Sequence, residues 1–390
     1  MLSCEHPLQD DRIYWKEALS LKKAGYTVIH IGVGTEKKDY ISAEGIRLIQ
    51  VARKRHANPY FNIFLRLIRI RKDITQEIFS AAKTVNASVY HFHDLQINKI
   101  GNLLKALPQR PRIIYDVHES YGDLIRDHSP LLLKPLNYLY SFYIERWELK
   151  SARQYDAIIT TEDYVLNRFK KSAPAIPVSI IFNYSYFLPA REETKSIVKI
   201  YDAIYSGTIS KLRGIYEIIN AVRLIKKSHP AIKVLVIGYF VREQLRQRIL
   251  MLIKKYDLAG NLVIHAPVPF EQMGAFYNSS KTGLCIFHPV KIYRNAVFIK
   301  TFEYMAFGLP VIGSNFGNIA HYIQSADAGI TVDPLQPVAI GNAIMQLLDA
   351  PGLYEKYSDN GWKAVSEKYN WLQETPKLLG LYQTMLSQPW

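Results

Sequence analysis

Short runs of β-branched residues alternate with longer amphipathic stretches along nearly the whole chain. That alternation leaves few options: parallel strands joined by crossover helices that cover both faces of a sheet. In the first half the strand candidates are Leu2 to Cys4, Thr27 to Val33, Ile46 to Val51, Val89 to Phe92, Arg112 to Tyr115, Ala157 to Ile159 and Val178 to Ile181. A helix is expected from Arg12 to Ala24, with Gly25 ready to end it. The first strand is unusually short. In the second half, strands are expected at Ile200 to Tyr205, Lys233 to Ile237, Leu262 to Ile264, Gly283 to Phe287 and Leu309 to Ile312. Between the halves, Asn183 to Ser196 has aromatics, a proline and charges but neither hydrophobic period, so it reads as a linker. The fold expected is α/β, with two doubly wound domains in tandem and ligands beyond the carboxyl ends of their strands, in a cleft between them.

At 390 residues the chain has ample length for two cores, and 48% hydrophobic with 21% charged residues suits a globular protein. No apolar run approaches the ~20 residues that span a bilayer. The N-terminus lacks a basic segment followed by an apolar core, so the expectation is a cytoplasmic protein. Cys4 and Cys285 are the only cysteines and have no metal-ligand spacing. A net charge of +15 calls for an anionic partner. Between Glu44 and Asp73 the chain has no acidic residue, while Arg47, Arg53, Lys54, Arg55, Arg66, Arg69, Arg71 and Lys72 are basic. Within it, Tyr60 to Lys72 places Phe61, Phe64, Leu65 and Ile68 at helical spacing beside a basic edge. The pattern fits either a helix on an anionic membrane surface or an ordinary helix with its apolar side on the sheet.

Strands of the first half run into polar groups at their carboxyl ends: His91 to Asp94, Tyr115 to Ser120 and Thr160 to Asp163. His93, Asp94, His118 and Glu119 together suggest a metal centre, although no fixed ligand spacing such as HxxEH supports it. In the second half, Tyr205 to Gly214 (YSGTISKLRG) follows a strand and opens a helix. Gly207 permits close backbone approach, Lys211 and Arg213 bring charge, and the helix start brings free N–H groups, a suitable seat for a diphosphate. A solvated basic turn is the plainer alternative. Gly32-x-Gly34 is half a dinucleotide fingerprint, but Lys37 stands at the third glycine position, which excludes a Rossmann cofactor site. Glu303 shares a helical face with Ile299, Ala306 and Phe307 and so needs a partner.

These segments together resemble glycosyltransferase family four, the retaining GT-B enzymes that use nucleotide-sugar donors. The resemblance rests on HPLQDDRIYWKEALSLKKAGYTV, YHFHD, IYDVHES, YSGTISKLRG, KTFEYMAFGLPVIGSNFGN and AGITVDPLQPVAIGNAIMQLL. It implies a GT-B fold, with a first Rossmann-like domain at 1–190 on the acceptor side and a donor-side domain at 191–370. The last segment, 371–390, would be a helix returning to the first domain. It implies that Glu303 binds the donor ribose. The paired glutamate of the family falls at Asn295, an amide without charge. Thr208 stands where a phosphate-binding arginine is usual, Arg213 where a lysine is, and Lys211 is the nearby replacement. The donor-binding set is thus Gly207, Thr208, Lys211, Arg213, Asn295, Lys300 and Glu303, and the catalytic candidates are His118, Lys211 and Arg213. Asp10, Asp11, Arg12, Asp94 and Glu119 are the acceptor-side candidates.

The reaction implied moves a sugar from a nucleotide-diphosphate donor to a glycan or polyprenyl-linked acceptor, in cell-surface polysaccharide or glycolipid synthesis. No metal and no cofactor beyond the donor substrate is expected, and no nucleic acid, since helix-turn-helix, RRM and zinc patterns are missing. The expected location is the cytoplasm, with the inner face of the membrane as a peripheral seat. Two alternatives stay open: a catalytically silent nucleotide-sugar or glycan-binding protein of the same fold, and a metal-dependent hydrolase using His93, Asp94, His118 and Glu119.

Overall fold

The computed structural model describes residues 1–52, 72–127, 134–195 and 197–387. The basic amphipathic segment expected at 60–72 therefore lies outside the described residues, apart from the backbone of Lys72. The chain divides into two compact units, Met1–Asn183 with Leu372–Trp390, and Tyr184–Trp371.

In the first unit, β1 (Ile29–Gly34) pairs in parallel with β3 (Arg47–Ala52), and β2 (Lys38–Ile41) pairs antiparallel on the outer edge of β3. The strands β4 (Val89–Phe92), β5 (Arg112–Val117), β6 (Ala157–Thr160) and β7 (Val178–Ile180) form a parallel set. Leu2 joins the two sets. It bridges Ile31 on one side and Phe92 on the other, with Leu2 N–H donating to the His91 carbonyl at 2.8 Å and Ser3 N–H to that of Ile31 at 3.0 Å. The short first strand expected from the sequence is thus a single bridging residue at the centre of the sheet. Edge strand β2 escaped the periodicity reading because all its residues are exposed. A strand with no buried side leaves no alternation to detect.

The helical stretch expected at Arg12 to Ala24 starts as a π-helical segment, Asp11–Ala18, and continues as α1 (Leu19–Lys23). It is followed by α2 (Lys72–Val85), α3 (Lys99–Lys105), α4 (Tyr121–Asp127), α5 (Lys134–Ala152) and α6 (Asp163–Ser172). The core gathers Leu2, Ile31, Ile78, Phe92, Ile113, Tyr115, Ile158 and Phe169 between sheet and helices.

The second unit holds a six-stranded parallel sheet of β8 (Tyr201–Ser206), β9 (Val234–Ile237), β10 (Leu262–His265), β11 (Ser280–Cys285), β12 (Val311–Ser314) and β13 (Gly329–Val332). Their order is β10-β9-β8-β11-β12-β13. Counted within the unit that is 3-2-1-4-5-6, the doubly wound Rossmann order, whose direction reverses between β8 and β11. The helices are α7 (Arg191–Lys195), α8 (Ile215–Ile225), α9 (Glu243–Lys255), α10 (Met273–Asn278), α11 (Lys291–Asn295), α12 (Ile299–Ala306), α13 (Gly317–Ser325), α14 (Pro337–Asp349) and α15 (Pro351–Glu367). Strand β9, Val-Leu-Val-Ile, is a continuous apolar run buried throughout, as in a sheet covered by helices on both faces.

The segment read as a linker is more ordered than its composition suggested. It carries α7, Ser185 bridges Asn370, and Phe187 stacks on Phe270 with ring centres 4.6 Å apart. Single aromatics inserted into a core leave no period. The last helix, α16 (Trp371–Ser387), belongs to the first unit from Leu372 onward. There the Tyr382 hydroxyl meets Nδ1 of buried His91 at 3.0 Å, and Glu374 accepts from the Phe182 N–H at 3.0 Å.

Candidate functional site

In a doubly wound sheet a ligand settles where the strand order reverses. In the second unit that point lies between β8 and β11, and the sequence-predicted donor residues follow those two strands. Gly207 ends β8 with φ +106°, a conformation that favours glycine. Its N–H donates to the Ile237 carbonyl at 2.9 Å, and a side chain at the adjacent Gly238 would collide with the Gly207 carbonyl. The backbone of both strands is therefore bare at this corner. A single 3-10 turn, Lys211–Arg213, and left-handed Gly214 (φ +70°) then lead into α8.

The two cations of that turn point into different surroundings. Lys211 is exposed. Arg213 is half-buried, with its guanidinium 5.6 Å from the centre of the Phe287 ring and hydrogen-bonded to Tyr293. The second inward cation is Lys300, on the first turn of α12. It is 6% exposed, its Nζ lies 4.0 Å from the centre of the Tyr205 ring and 5.3 Å from that of Phe287, and it donates to the Ser206 carbonyl. It also lies directly beside Gly207: a methyl group there would stand 3.5 Å from Nζ. Burial, reinforced by repulsion from Arg213, lowers the Lys300 pKa to about 7; Cys285 and Glu303 act weakly the other way. Among the described residues neither Lys300 nor Arg213 is ion-paired with a carboxylate. Two partly desolvated cations sharing one aromatic wall make a seat for an anion. The cation beside Gly207 is thus Lys300, whereas Lys211, the one the sequence pointed to, is exposed.

Glu303 lies one turn further along α12 and is also 6% exposed. Its partner in the structure is the Tyr277 hydroxyl, which donates to Oε2 at 2.7 Å. Tyr277 also contacts the Ser206 hydroxyl at 3.2 Å, and Ser206 contacts the Tyr304 hydroxyl at 3.1 Å. This network ties the carboxylate to the end of β8. Tyr277 was not singled out by the sequence, since 26 residues separate it from Glu303. Asn295 ends α11, is exposed, and uses its carbonyl to accept from the Asn318 amide at 2.6 Å.

The first unit places its candidates around the carboxyl ends of Leu2, β4 and β5. Asp10 caps the π-helical segment, accepting from the N–H groups of Arg12 and Ile13 at 2.9 and 3.0 Å. Asp94 accepts from the N–H groups of Cys4 and Glu5 at 2.5 and 3.1 Å. His6, which the sequence reading passed over, lies 3.2 Å from Asp10 and 3.4 Å from Asp94. Burial opposes its charge, but the Asp10 hydrogen bond and the charges of Asp94, Asp10 and Glu119 outweigh that and raise its pKa to about 10. The signal available was its i,i+4 spacing from Asp10. The ring of His118 lies 4.9 Å from that of His6, and its Nε2 is 3.2 Å from His93 Nδ1 and 3.5 Å from Asp116. Glu119 is exposed, and Asp11 is paired with Lys16 at 3.3 Å.

Two expectations change here. Arg12, an acceptor-side candidate, is only 2% exposed, with Nε and Nη2 at 3.0 and 2.9 Å from Asp116, Nη1 donating to the Ile181 carbonyl, and Nε 3.0 Å from Glu17. The proposed metal set of His93, Asp94, His118 and Glu119 does not assemble, because Asp94 faces backbone amides and Glu119 faces water. The grouping that does form is Glu17, His91, His93 and Asp116, with one ligand atom from each within 4.8 Å of the others. The Arg12 guanidinium already fills the role of cation between Glu17 and Asp116. Burial pushes the Glu17 carboxyl well above its usual range. Asp116 is held well below its own despite burial, because Arg12 and His118 stabilise its charge. Burial likewise lowers His93 to about 3, so it is neutral.

Two Rossmann-like units, each with its polar residues gathered where the strand order reverses, define a GT-B fold. The sucrose-phosphate synthase structure from Thermosynechococcus elongatus superposes with a TM-score of 0.75 at 16% identity, covering 99% of this chain and 98% of that one. Residues 190–364 match the family Glycosyl transferases group 1. An uncharacterized glycosyltransferase of Methanocaldococcus jannaschii is 22% identical across 94% of this chain and 92% of its own length. The capsular polysaccharide biosynthesis glycosyltransferase CapM of Staphylococcus aureus is 26% identical over 47% of this chain and 46% of CapM. With sucrose synthase of Denitrovibrio acetiphilus the identity is 27% over 42% of this chain, a match that spans only 23% of that enzyme.

Proposed function

We propose that the protein is a retaining glycosyltransferase, taking a sugar from a nucleotide-diphosphate donor to a glycan or polyprenyl-linked acceptor in cell-surface polysaccharide or glycolipid synthesis. The observation that carries this reading is the pair of inward cations, buried Lys300 and half-buried Arg213, with Lys300 beside bare Gly207 at the strand-order reversal of the second unit. The match of residues 190–364 supports the transfer chemistry, and the likeness to a capsular polysaccharide enzyme supports the acceptor class.

In this reading the donor diphosphate lies against Gly207 and Thr208, between Arg213 and Lys300, with exposed Lys211 at the mouth. Glu303, held by Tyr277, accepts from ribose hydroxyls, and Asn295 offers an uncharged contact to the donor. As the bond between the anomeric carbon and the diphosphate breaks, its electron pair passes to the leaving phosphate oxygen. The acceptor hydroxyl oxygen bonds the anomeric carbon from the same face, and its proton passes to that phosphate. Arg213 and protonated Lys300 stabilise the growing negative charge; removing one such donor costs ~2.7 to 4 kcal/mol by analogy with oxyanion-hole deletions. Those fixed charges let the step proceed without a metal. His118 is the first-unit group assigned to the transferred sugar, with Asp10, Asp11, Asp94 and Glu119 on the acceptor side; Arg12 supports them from beneath.

Thermal-shift measurement against UDP-, GDP-, ADP- and CMP-sugars identifies the donor, since a bound ligand stabilises by mass action. Transfer and donor hydrolysis are then measured with acceptor extracts, with and without EDTA. Turnover that survives EDTA and falls in Arg213→Ala and Lys211→Ala supports the reading. Donor binding without turnover would leave a silent binding protein, and loss on chelation restored by a divalent cation would overturn the metal-free step.

A further inference from the structure

Helix α5 turns a cluster of apolar side chains outward. Leu136, Tyr138, Leu139, Phe142 and Tyr143 are 53 to 68% exposed, while the side packed on the protein carries Ser141, Ile144, Glu148, Ser151 and Ala152. At 100° per residue the exposed residues fall on one arc, continued toward the C-terminus by exposed Arg146 and Lys150. An ordinary covering helix has the opposite arrangement.

The charge on this helix is also sorted. Its acidic residues, Glu145 and Glu148, are turned away from the arc and held by arginines: Arg126 meets Glu145 at 2.6 Å, and Arg168 meets Glu148 at 2.9 Å. The exposed arc carries only positive charge, from Arg146 and Lys150, and the Arg146 guanidinium lies 5.3 Å from the Phe142 ring centre. Long basic side chains beside exposed aromatic and aliphatic groups suit the boundary between lipid headgroups and acyl chains. An acidic protein partner would match the charge, but it leaves the five apolar side chains to be covered by a surface of unusual composition. No helix among the described residues is long and apolar enough to cross a membrane, so the contact is with a surface.

We infer that the outward face of α5 seats the protein on an anionic lipid membrane. Leu139, Phe142 and Tyr143 enter the headgroup boundary, and Arg146 and Lys150 meet lipid phosphates. The inference stands on this helix alone. It bears on the proposed lipid-linked acceptor but does not require it, and its test needs neither donor nor turnover.

The test is sedimentation of the full chain with vesicles of phosphatidylcholine containing phosphatidylglycerol, against pure phosphatidylcholine. Binding to the anionic vesicles, falling as salt rises, is the expected result. Leu139→Glu with Phe142→Glu, and separately Arg146→Glu with Lys150→Glu, should each lower the vesicle-bound fraction on the order of tenfold or more. Circular dichroism and melting temperature should stay unchanged, since all four side chains are exposed. Binding that the Leu139→Glu, Phe142→Glu variant retains would overturn the assignment, as would binding removed only by Arg66→Glu with Arg69→Glu. So would a concentration-dependent dimer that the same α5 variant dissociates, because the occupant would then be a second copy of the chain.

Discussion

Lys300 Nζ lies 4.0 Å from the centre of the Tyr205 ring, enclosed at the end of β8 with no carboxylate partner among the described residues. A buried ammonium without a counter-charge destabilises the protein that contains it, a cost that a bound anion would offset.

Lys300→Met is expected to raise stability in the absence of ligand, by roughly 1 to 4 kcal/mol if the apolar replacement packs well. The same change should weaken nucleotide-sugar binding. A parallel loss of stability and affinity would mean that Lys300 serves the fold. The measurements are denaturant unfolding of the free protein and calorimetric titration with the donor.

The lowered pKa also fixes a pH dependence. The folded-state value is about 7 against the ordinary lysine value of 10.5, so between those values the unfolded chain binds more protons and this group's penalty shrinks as pH rises. Donor binding runs the other way. An anion needs Lys300 protonated, so affinity should fall from pH 7 toward pH 9, by at most about tenfold per unit, with proton uptake on binding. A nucleotide sugar is the suitable probe, because its diphosphate does not titrate there. The groups facing Lys300 are Arg213, Cys285, Glu303 and Tyr205; burial pushes the Cys285 thiol and the Tyr205 phenol above their usual values, and Arg213 stays charged across this range. A flat profile in the parent protein would remove Lys300 from the anion site, whereas Lys300→Met should be flat and weak.

Glu303→Gln and Tyr277→Phe separate two roles of the buried carboxylate. If Glu303 serves the donor, the glutamine variant should fold normally and lose roughly 2 to 3 kcal/mol of donor affinity, the scale of hydrogen bonds to a charged group. Tyr277→Phe should then cost about 1 kcal/mol in binding through looser positioning. If Glu303 is structural, both variants lower the melting temperature and leave the dissociation constant alone.

What the sequence disclosed depended on whether a signal was local. Strand runs such as Val234–Ile237, and the helix with its left-handed Gly308 stop (φ +65°) before β12, are written in neighbouring residues. So was the place of Glu303 on an apolar face. Arg12 and Asp116 are 104 residues apart and look like separate surface groups until Leu2, β4 and β5 assemble around them. Lys211 and Lys300 were both basic residues near the expected site; only the packing of α12 on Tyr205 shows which is inside. The outward arc of α5 was missed because its apolar and buried polar sides nearly cancel, leaving no strong amphipathic signal.

The His6 bridge should make the first unit sensitive to alkali. Its pKa is about 10 folded against the ordinary histidine value of 6.5, so its contribution to stability is complete below about pH 6.5 and is lost as pH rises through 10. With its side chain 30% exposed, solvent screening keeps the effect modest. Melting temperatures from pH 6 to pH 10 should decline in the parent protein and decline less in His6→Gln. Equal slopes would place the alkaline loss elsewhere.

Arg12 provides the sharpest test of the core beneath His118. Arg12→Met leaves Asp116 and Glu17 facing each other in a dry interior, flanked by the neutral rings of His91 and His93. Breaking a buried pair in this way costs about 3 to 5 kcal/mol, and the loss should appear in denaturant unfolding of the full chain. Asp116→Asn in the same background removes the uncompensated charge and should recover part of that stability. If Arg12 instead met the acceptor directly, Arg12→Met would raise KM with little change in unfolding, and Asp116→Asn would restore nothing.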